Sequence, residues 1–315
     1  MLTVSNLSKR YGNVFALQNV SFHLKNKESA GIFGVPGSGK STLSSLLSGF
    51  IECRPGQIIV DGLDLGKSTE RARRLIGYLP EGNPLYGDMT VGDFLGFVCA
   101  LYKVPAKSRR PLISDALELC GLERQKSSVI RDLSALDARR VGLAGALVFG
   151  PSLLLLDRPT FALRTEDAAA IRGLLASLRG KYTMLLLTDS ITEVTGLCEH
   201  VIVLNRGHVV SDGSLKALAS TAGSNNRLKL RVLGSAANLR ALFASLPGVQ
   251  DVSFERTNEP GTVDVLLEIR QGMDLREEIW HLAAGAQLPI LEMRQISVSL
   301  EDIFLQLTGN GGSNA

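Results

Sequence analysis

Nine residues limit what this chain can fold into more than any other stretch: "GVPGSGKST", residues 34 to 42. They satisfy the pattern G-x-x-x-x-G-K-[ST]. An apolar run, "SAGIF", leads into them, and "STLSSLLSG" leaves with helical character. Strand, glycine loop and helix in that order form a cradle for phosphate. Gly34, Gly37 and Gly39 let backbone N–H groups turn inward around anionic oxygens. Lys40 can reach β- and γ-phosphates, and the Ser41 hydroxyl can ligate Mg²⁺. Ser38 and Thr42 complete the loop and the first helical turn, whose dipole points its positive end at the same anion. A second acid fits such a site. Asp157 ends the strand-like "SLLLLD", where a carboxylate holds Mg²⁺ through water. A nucleoside triphosphate and Mg²⁺ are the ligands these residues imply.

The first two-thirds of the chain alternates short apolar strands with amphipathic helices. "NVSFHL", "SAGIF", "GQIIV", "SLLLLD", "TMLLLT" and "HVIVL" read as strands. Val91, Phe94, Leu95, Val98 and Leu101 recur at helical spacing, as do Ile171, Leu174, Leu175 and Leu178. This alternation predicts an α/β domain, a mixed sheet layered with helices. "RGHVVSDG" reads as a turn and short strand closing it.

A small, polar stretch, residues 220 to 226, predicts a linker between a first domain at 1–219 and a second at 227–308. In the second, Leu228, Leu230 and Val232 alternate as on a strand, and Leu239, Leu242, Phe243 and Leu246 mark a helix. Val252 and Phe254 lie on a second strand, and Val263, Val265, Leu267 and Ile269 line one face of a third. A helix around Leu275, Ile279 and Leu282 leads to the strand "PILEMR". The order βαββαβ predicts a small α+β ferredoxin-like domain. A last helix from Ser299 carries Leu300, Ile303, Phe304 and Leu307, with Asp302 completing an approximate capping box. Residues 309–315 read as a disordered tail.

Several classes of function are disfavoured. A net charge of +3 is too small to argue for nucleic acid, and the strand stretches "TVDVLLEI" and "DVSFER" of the second domain offer only Phe254 as a base-stacking aromatic. Cys53, Cys99, Cys120 and Cys198 form no CxxC pair, so reduced thiols are expected. The four histidines lack ligand spacing. No apolar run approaches the roughly 18 residues of a membrane span, and the N-terminal residues do not read as a secretory signal.

In this order the motifs resemble the ATP-binding subunits of ABC transporters, closest to the branch of gliding-motility and drug-export ATPases. "LSKRYGNVFAL" is similar to the family's opening, with Tyr11 where an aromatic stacks on adenine. "IGYLPEGNPLYGDMTV" resembles the segment that senses Mg²⁺ and touches the membrane partner, with Glu81 where many relatives have glutamine. "MRQISVSLEDIFLQLT" resembles the end of that branch's C-terminal domain. The resemblance implies two cassettes working head to tail, on the same or different chains. It implies separate membrane-spanning subunits and a peripheral place on the cytoplasmic face of the inner membrane.

Four segments depart from the family. "LSALDARR" keeps Leu133 and Ser134 of the signature but has Leu136 where glycine permits close backbone approach. Asp137 follows at a helix start that relatives turn toward the opposing γ-phosphate. A like-charge contact of about 4 Å costs on the order of 4 kcal/mol at an effective dielectric near 20. Arg158 follows Asp157 where the family has the glutamate that activates water, and an arginine cannot act as a base. Arg164 stands for an aspartate of the dimer seam, and Asp189 for the histidine that contacts the γ-phosphate. The grip on ATP is retained and the means to activate water are lost, which typically forfeits ~10²–10⁴ in rate. The expectation is therefore a structural or regulatory half of an export complex with weak or no hydrolysis. An active export ATPase and a soluble scaffold without a membrane partner are the alternatives. Arg158 and Asp189 reverse the expected charges side by side, so a compensating pair and independent drift both remain open.

Overall fold

The computed structural model describes residues 1–215, 217, 226–234, 236–255, 259–270 and 273–296. They fall into two compact units, divided just after Leu215.

The first unit opens with β1 (Leu2–Tyr11), β2 (Val14–Leu24) and β3 (Ser29–Phe33). Next come α1 (Lys40–Leu47), β4 (Ile58–Val60), β5 (Leu63–Asp64), α2 (Thr69–Arg73) and β6 (Ile76–Leu79). The helical stretch holds α3 (Val91–Leu101), α4 (Ala106–Cys120) and α5 (Ala135–Leu147). The unit closes with β7 (Leu153–Asp157), α6 (Thr165–Leu178), β8 (Thr183–Thr188), α7 (Ile191–Leu197), β9 (His200–Asn205) and β10 (His208–Ser214).

Its strands form two sheets. One is antiparallel, in the order β2-β1-β4-β5. The other has six strands in the order β10-β9-β3-β8-β7-β6, parallel except for the antiparallel edge strand β10. The sequence explains the difference. β3, β7 and β8 are buried along their whole length, as continuous apolar runs covered on both faces should be. β1 was not anticipated, nor was β6. In β1 the pairing with β2 shifts register between Val4 and Leu7 and twice more before Arg10. The first shift puts the extra residue in β1 and the next two put it in β2, and the residue inserted in β1 breaks the alternation by which a half-buried strand is read. The helices follow their caps: Thr90 and Ser134 accept from the N–H groups of Asp93 and Asp137, and Gly121 ends α4 at φ 64°.

The second unit runs β11 (Asn226–Leu233), α8 (Ala236–Ala244), β12 (Val249–Glu255), β13 (Thr262–Ile269), α9 (Arg276–Gly285) and β14 (Ile290–Ile296). Its antiparallel sheet has the order β12-β13-β11-β14. Leu228, Leu230 and Val232 lie opposite Leu267, Val265 and Val263. That face joins Leu239, Phe243, Leu275 and Ile279 in one core. Leu246, expected on the helix, packs against this core from the turn beyond it. The other face carries charge: Arg231 pairs with Asp264, and Lys229 with Asp264 and Glu255. The expected linker lies outside the described residues except for Asn226, which begins β11. The expected helix from Ser299 and the tail lie outside them too.

The four cysteines are free thiols. Among the described residues no helix is long and apolar enough to cross a membrane.

Candidate functional site

Strand order assembles the site. β3, β8, β7 and β6 are neighbours in that order, and their C-terminal ends share one edge of the sheet. Phe33 lies opposite Thr188, and Leu187 opposite Asp157. The loop after β3 is the glycine loop. The residue after β8 is Asp189, β7 ends at Asp157 and continues into Arg158, and Glu81 lies just beyond β6. Open parallel sheets bind ligands at this edge. A cavity of about 590 Å³ opens there, lined by Gly37, Gly39, Lys40, Ser41 and Thr42 of the loop, and by Glu81, Asp157, Arg158 and Asp189.

The loop is shaped as a phosphate cradle requires. Gly37 and Gly39 hold φ of 80° and 107°, which L side chains avoid. A Cβ on Gly39 would stand 2.5 Å from the Ala16 carbonyl oxygen, and one on Gly34 would overlap Ser38 Oγ and the Leu204 carbonyl oxygen. Gly37 faces open space instead. Lys40 Nζ donates to the carbonyls of Gly34 and Val35 at 2.5 and 3.1 Å and lies 3.4 Å from the buried Ser38 hydroxyl. Burial pushes the Lys40 ammonium down from its ordinary value. The charge of Asp189 opposes this, and that of Arg158 adds to it. These residues fit a nucleotide phosphate, and the lysine is already aimed into the loop.

Asp157 is buried, and burial raises its carboxyl above the usual range. The neighbouring Ser44 hydroxyl opposes that rise and is itself 2.9 Å from Tyr78 Oη. Ser41 and Asp157 both line the cavity, the donor set that would hold Mg²⁺ there.

Arg158 is the centre of the site. It adopts φ 45°, unusual for a residue with a side chain, and its N–H donates to the Leu187 carbonyl at 2.9 Å. Because β7 lies between β8 and β6, the guanidinium meets a carboxylate on each side. Nη1 donates to Glu81 Oε1 at 2.8 Å, and Nη2 stands 3.2 Å from Asp189 Oδ2. The guanidinium carbon sits 4.3 Å from the Phe161 ring centroid. Arg158 and Asp189 therefore form an ion pair, and Glu81 makes it a triad.

Two buried charges support these loops, and neither stands out in the sequence. Arg139 of α5 donates to the Glu81 carbonyl at 3.1 Å and to the Phe161 carbonyl at 3.0 Å. It ties the helix after Ser134 to both sides of the triad. Glu193 of α7 accepts from the Thr160 and Thr188 hydroxyls and from Thr160 N–H. An isolated arginine or glutamate in a helix gives no periodic signal of such a role.

The remaining expected residues lie apart from the cavity lining. Tyr11 is half exposed, with the Lys9 ammonium 5.9 Å from its ring centroid. Phe15 and Val14 line the cavity instead. Leu136 and Asp137 occupy the first turn of α5, where Asp137 pairs with Arg140 at 3.3 Å. Arg164 occupies the N-cap position of α6 without a side-chain cap hydrogen bond, and pairs with Asp167 at 3.0 Å.

A glycine loop between a buried parallel strand and a helix, opening on such a cavity, defines a P-loop nucleotide-binding α/β protein. The model of the family described as ABC transporter matches residues 17–161. An energy-coupling factor transporter ATP-binding protein, EcfA1 of Streptococcus agalactiae, is 34% identical over 236 residues, covering 72% of this chain and 83% of its own. The linearmycin resistance ATP-binding protein LnrL of Bacillus subtilis is 28% identical over 310 residues, 98% of both chains. A bacterial ABC transporter cassette solved as a dimer superposes with a TM-score of 0.60 at 27% identity, covering 68% of this chain and 99% of that one. The chain belongs to the ABC transporter family and is a nucleotide-binding subunit.

Proposed function

We propose that this chain binds Mg-ATP without appreciable hydrolysis and serves as the structural or regulatory half of an export complex. The observation that carries the reading is Arg158. The position directly after the Asp157 strand holds a permanent cation, engaged by Glu81 and Asp189. A guanidinium cannot take a proton from water, and here it occupies both carboxylates nearest to it. Lys40, Ser41, Thr42 and the loop glycines hold the phosphates in this reading, Ser41 and Asp157 the Mg²⁺, and an aromatic of the first hairpin the base. Mg²⁺ would supply charge neutralisation across the phosphates. Leu136 and Asp137 would face a second cassette and leave its nucleotide poorly held.

The export assignment draws on the linearmycin resistance relative, which matches over both units, whereas EcfA1 matches over the smaller share of the chain. The βαββαβ second unit, with strand order β12-β13-β11-β14, supports a ferredoxin-like domain of the kind expected in that branch. The reading places the chain against separate membrane-spanning subunits, on the cytoplasmic face, paired with a second cassette. A groove near Glu81, lined by Tyr78, Asn83, Leu85, Phe94 and Tyr102, suits contact with such a subunit.

Calorimetric titration of the purified chain with Mg-ATP, run beside a phosphate-release assay with Lys40→Ala as control, tests the reading. Binding to the native chain with phosphate release at the control level is expected. Release well above that control would defeat the hydrolysis claim, and absence of binding would defeat the whole proposal.

A further inference from the structure

The triad does more than lack a base. Six charged side chains line the cavity: Lys40, Arg158 and Arg206 against Glu81, Asp157 and Asp189. Of the three cations, Lys40 is held by loop carbonyls, and Arg158 spans two carboxylates that belong to different strands' loops. Its planar fork matches phosphate as well as carboxylate, and the more highly charged anion forms the stronger charge-assisted pair.

We propose that Arg158 is a γ-phosphate-reading residue: a nucleoside triphosphate draws its guanidinium away from Glu81 and Asp189, and a diphosphate does not. The proposal rests on the reading that this chain holds ATP, and it adds what the site does with the nucleotide. The reason for selectivity is reach. Arg158 follows the end of β7 and lines the same cavity as the loop that would cradle the inner phosphates, which leaves the last phosphate to meet its guanidinium. A ligand shifts such an equilibrium only by its differential interaction with the two arrangements. The γ-phosphate supplies that difference.

The consequence travels through Glu81. With Arg158 engaged elsewhere, the Glu81 carboxylate loses its cation, while its carbonyl stays on Arg139 and Asn83 stays on the Ala138 carbonyl. The start of the segment after β6 is then held by α5, while its far end stays on Arg131 and Ile130 through Asp88 and the Gly87 and Met89 carbonyls. Triphosphate therefore changes the hold on residues 81–89, and diphosphate leaves the triad closed. The site becomes a sensor of nucleotide state that needs no hydrolysis.

The test compares affinities for Mg-ADP and for the β,γ-imido analogue of Mg-ATP, in the native chain, R158Q and D189N. The analogue keeps the outcome independent of any turnover. R158Q is expected to lose affinity for the analogue by about 10-fold or more while its affinity for ADP stays within about 2-fold. D189N, which removes one of the two carboxylates that hold the guanidinium, is expected to tighten the analogue several-fold with ADP unchanged. Hydrogen exchange at residues 81–89 should respond to the analogue in the native chain and not in R158Q. A purely structural ion pair would make D189N weaken the analogue as R158Q does, and that result overturns the proposal, as does equal loss of both nucleotides in R158Q. If R158Q does not fold, D189N decides alone. Phosphate release from true ATP would defeat the hydrolysis-deficient reading while leaving this comparison intact.

Discussion

Arg158 Nη1 donates to Glu81 Oε1 at 2.8 Å across 77 residues of sequence, while its other terminal nitrogen stands 3.2 Å from Asp189. The three side chains come from loops after three adjacent strands, β6, β7 and β8. They are about 30% exposed, so solvent screens them and their coupling is modest. A double-mutant cycle on R158Q and D189N should return a coupling of about 0.5–1 kcal/mol in thermal stability. Strict additivity would mean that the pair contributes nothing jointly.

Replacing Arg158 by glutamate supplies the residue that the sequence resemblance implies for this position, but not a working base. R158E would place a third carboxylate beside Glu81 and Asp189, with no cation between them. In the proposed reading Leu136, Asp137 and Asp189 would remain unsuited to orienting nucleotide, and groups acting as a unit do not recover one at a time. Phosphate release by R158E should stay at the Lys40→Ala level, and Mg-ATP affinity should fall. Recovery of turnover to more than about 10-fold above that control would show that the arginine alone had silenced the site.

Much of this site was readable before folding, because loop motifs are local. The glycine loop and Asp157 follow from contiguous residues, whereas the charge reversal at Arg158 and Asp189 is an expectation that rests on the resemblance to the family. Glu81 as a partner of Arg158 does not. It depends on β6 lying beside β7, and strand order in a sheet is not sequence order. Arg139 and Glu193 were missed for a related reason: a buried charge is recognised by its partners, and these partners are carbonyls and hydroxyls of distant loops. Tyr11 is expected at the site through the resemblance alone, and the cavity is lined instead by Phe15 of the same hairpin.

Glu193 is almost fully buried and satisfies the hydroxyls of Thr160 and Thr188. E193A would leave the buried Thr188 hydroxyl without that acceptor, and remove a charge that opposes the effect of burial on Arg139. A loss of about 1–3 kcal/mol is expected from chemical denaturation. E193Q keeps the shape and one acceptor oxygen, so it should lose less. Equal losses would mean that charge, not hydrogen bonding, sets the effect.

Gly39→Ala tests the cradle itself. Its φ of 107° is strained for alanine, and the added Cβ would meet the Ala16 carbonyl oxygen at 2.5 Å. The strain alone costs on the order of 1–3 kcal/mol. The variant should lose stability and Mg-ATP binding together. Gly37→Ala, whose Cβ meets nothing within 4 Å, should lose less stability. Equal destabilisation by the two would mean that the close approach to Ala16 is not what the loop depends on.

The second unit should respond to acid through Asp264. Two hydrogen bonds from Arg231, at 2.7 and 2.9 Å, hold its carboxyl well below the usual carboxylate range, at about 2. Burial opposes this, and Lys229 adds to the lowering. A carboxyl whose folded value lies below its unfolded value of about 3.9 binds fewer protons folded than unfolded. Its contribution is therefore fully present above about pH 4 and fades as pH falls toward 2. Thermal unfolding of the full chain at stepped pH should show the transition of this unit falling across that window. In D264N the transition should start lower at neutral pH and lose less on acidification, because the titrating group is gone. An equally steep fall in D264N between pH 4 and 2 would assign the acid sensitivity to other carboxylates, with Glu268 on Arg227 the next pair to remove.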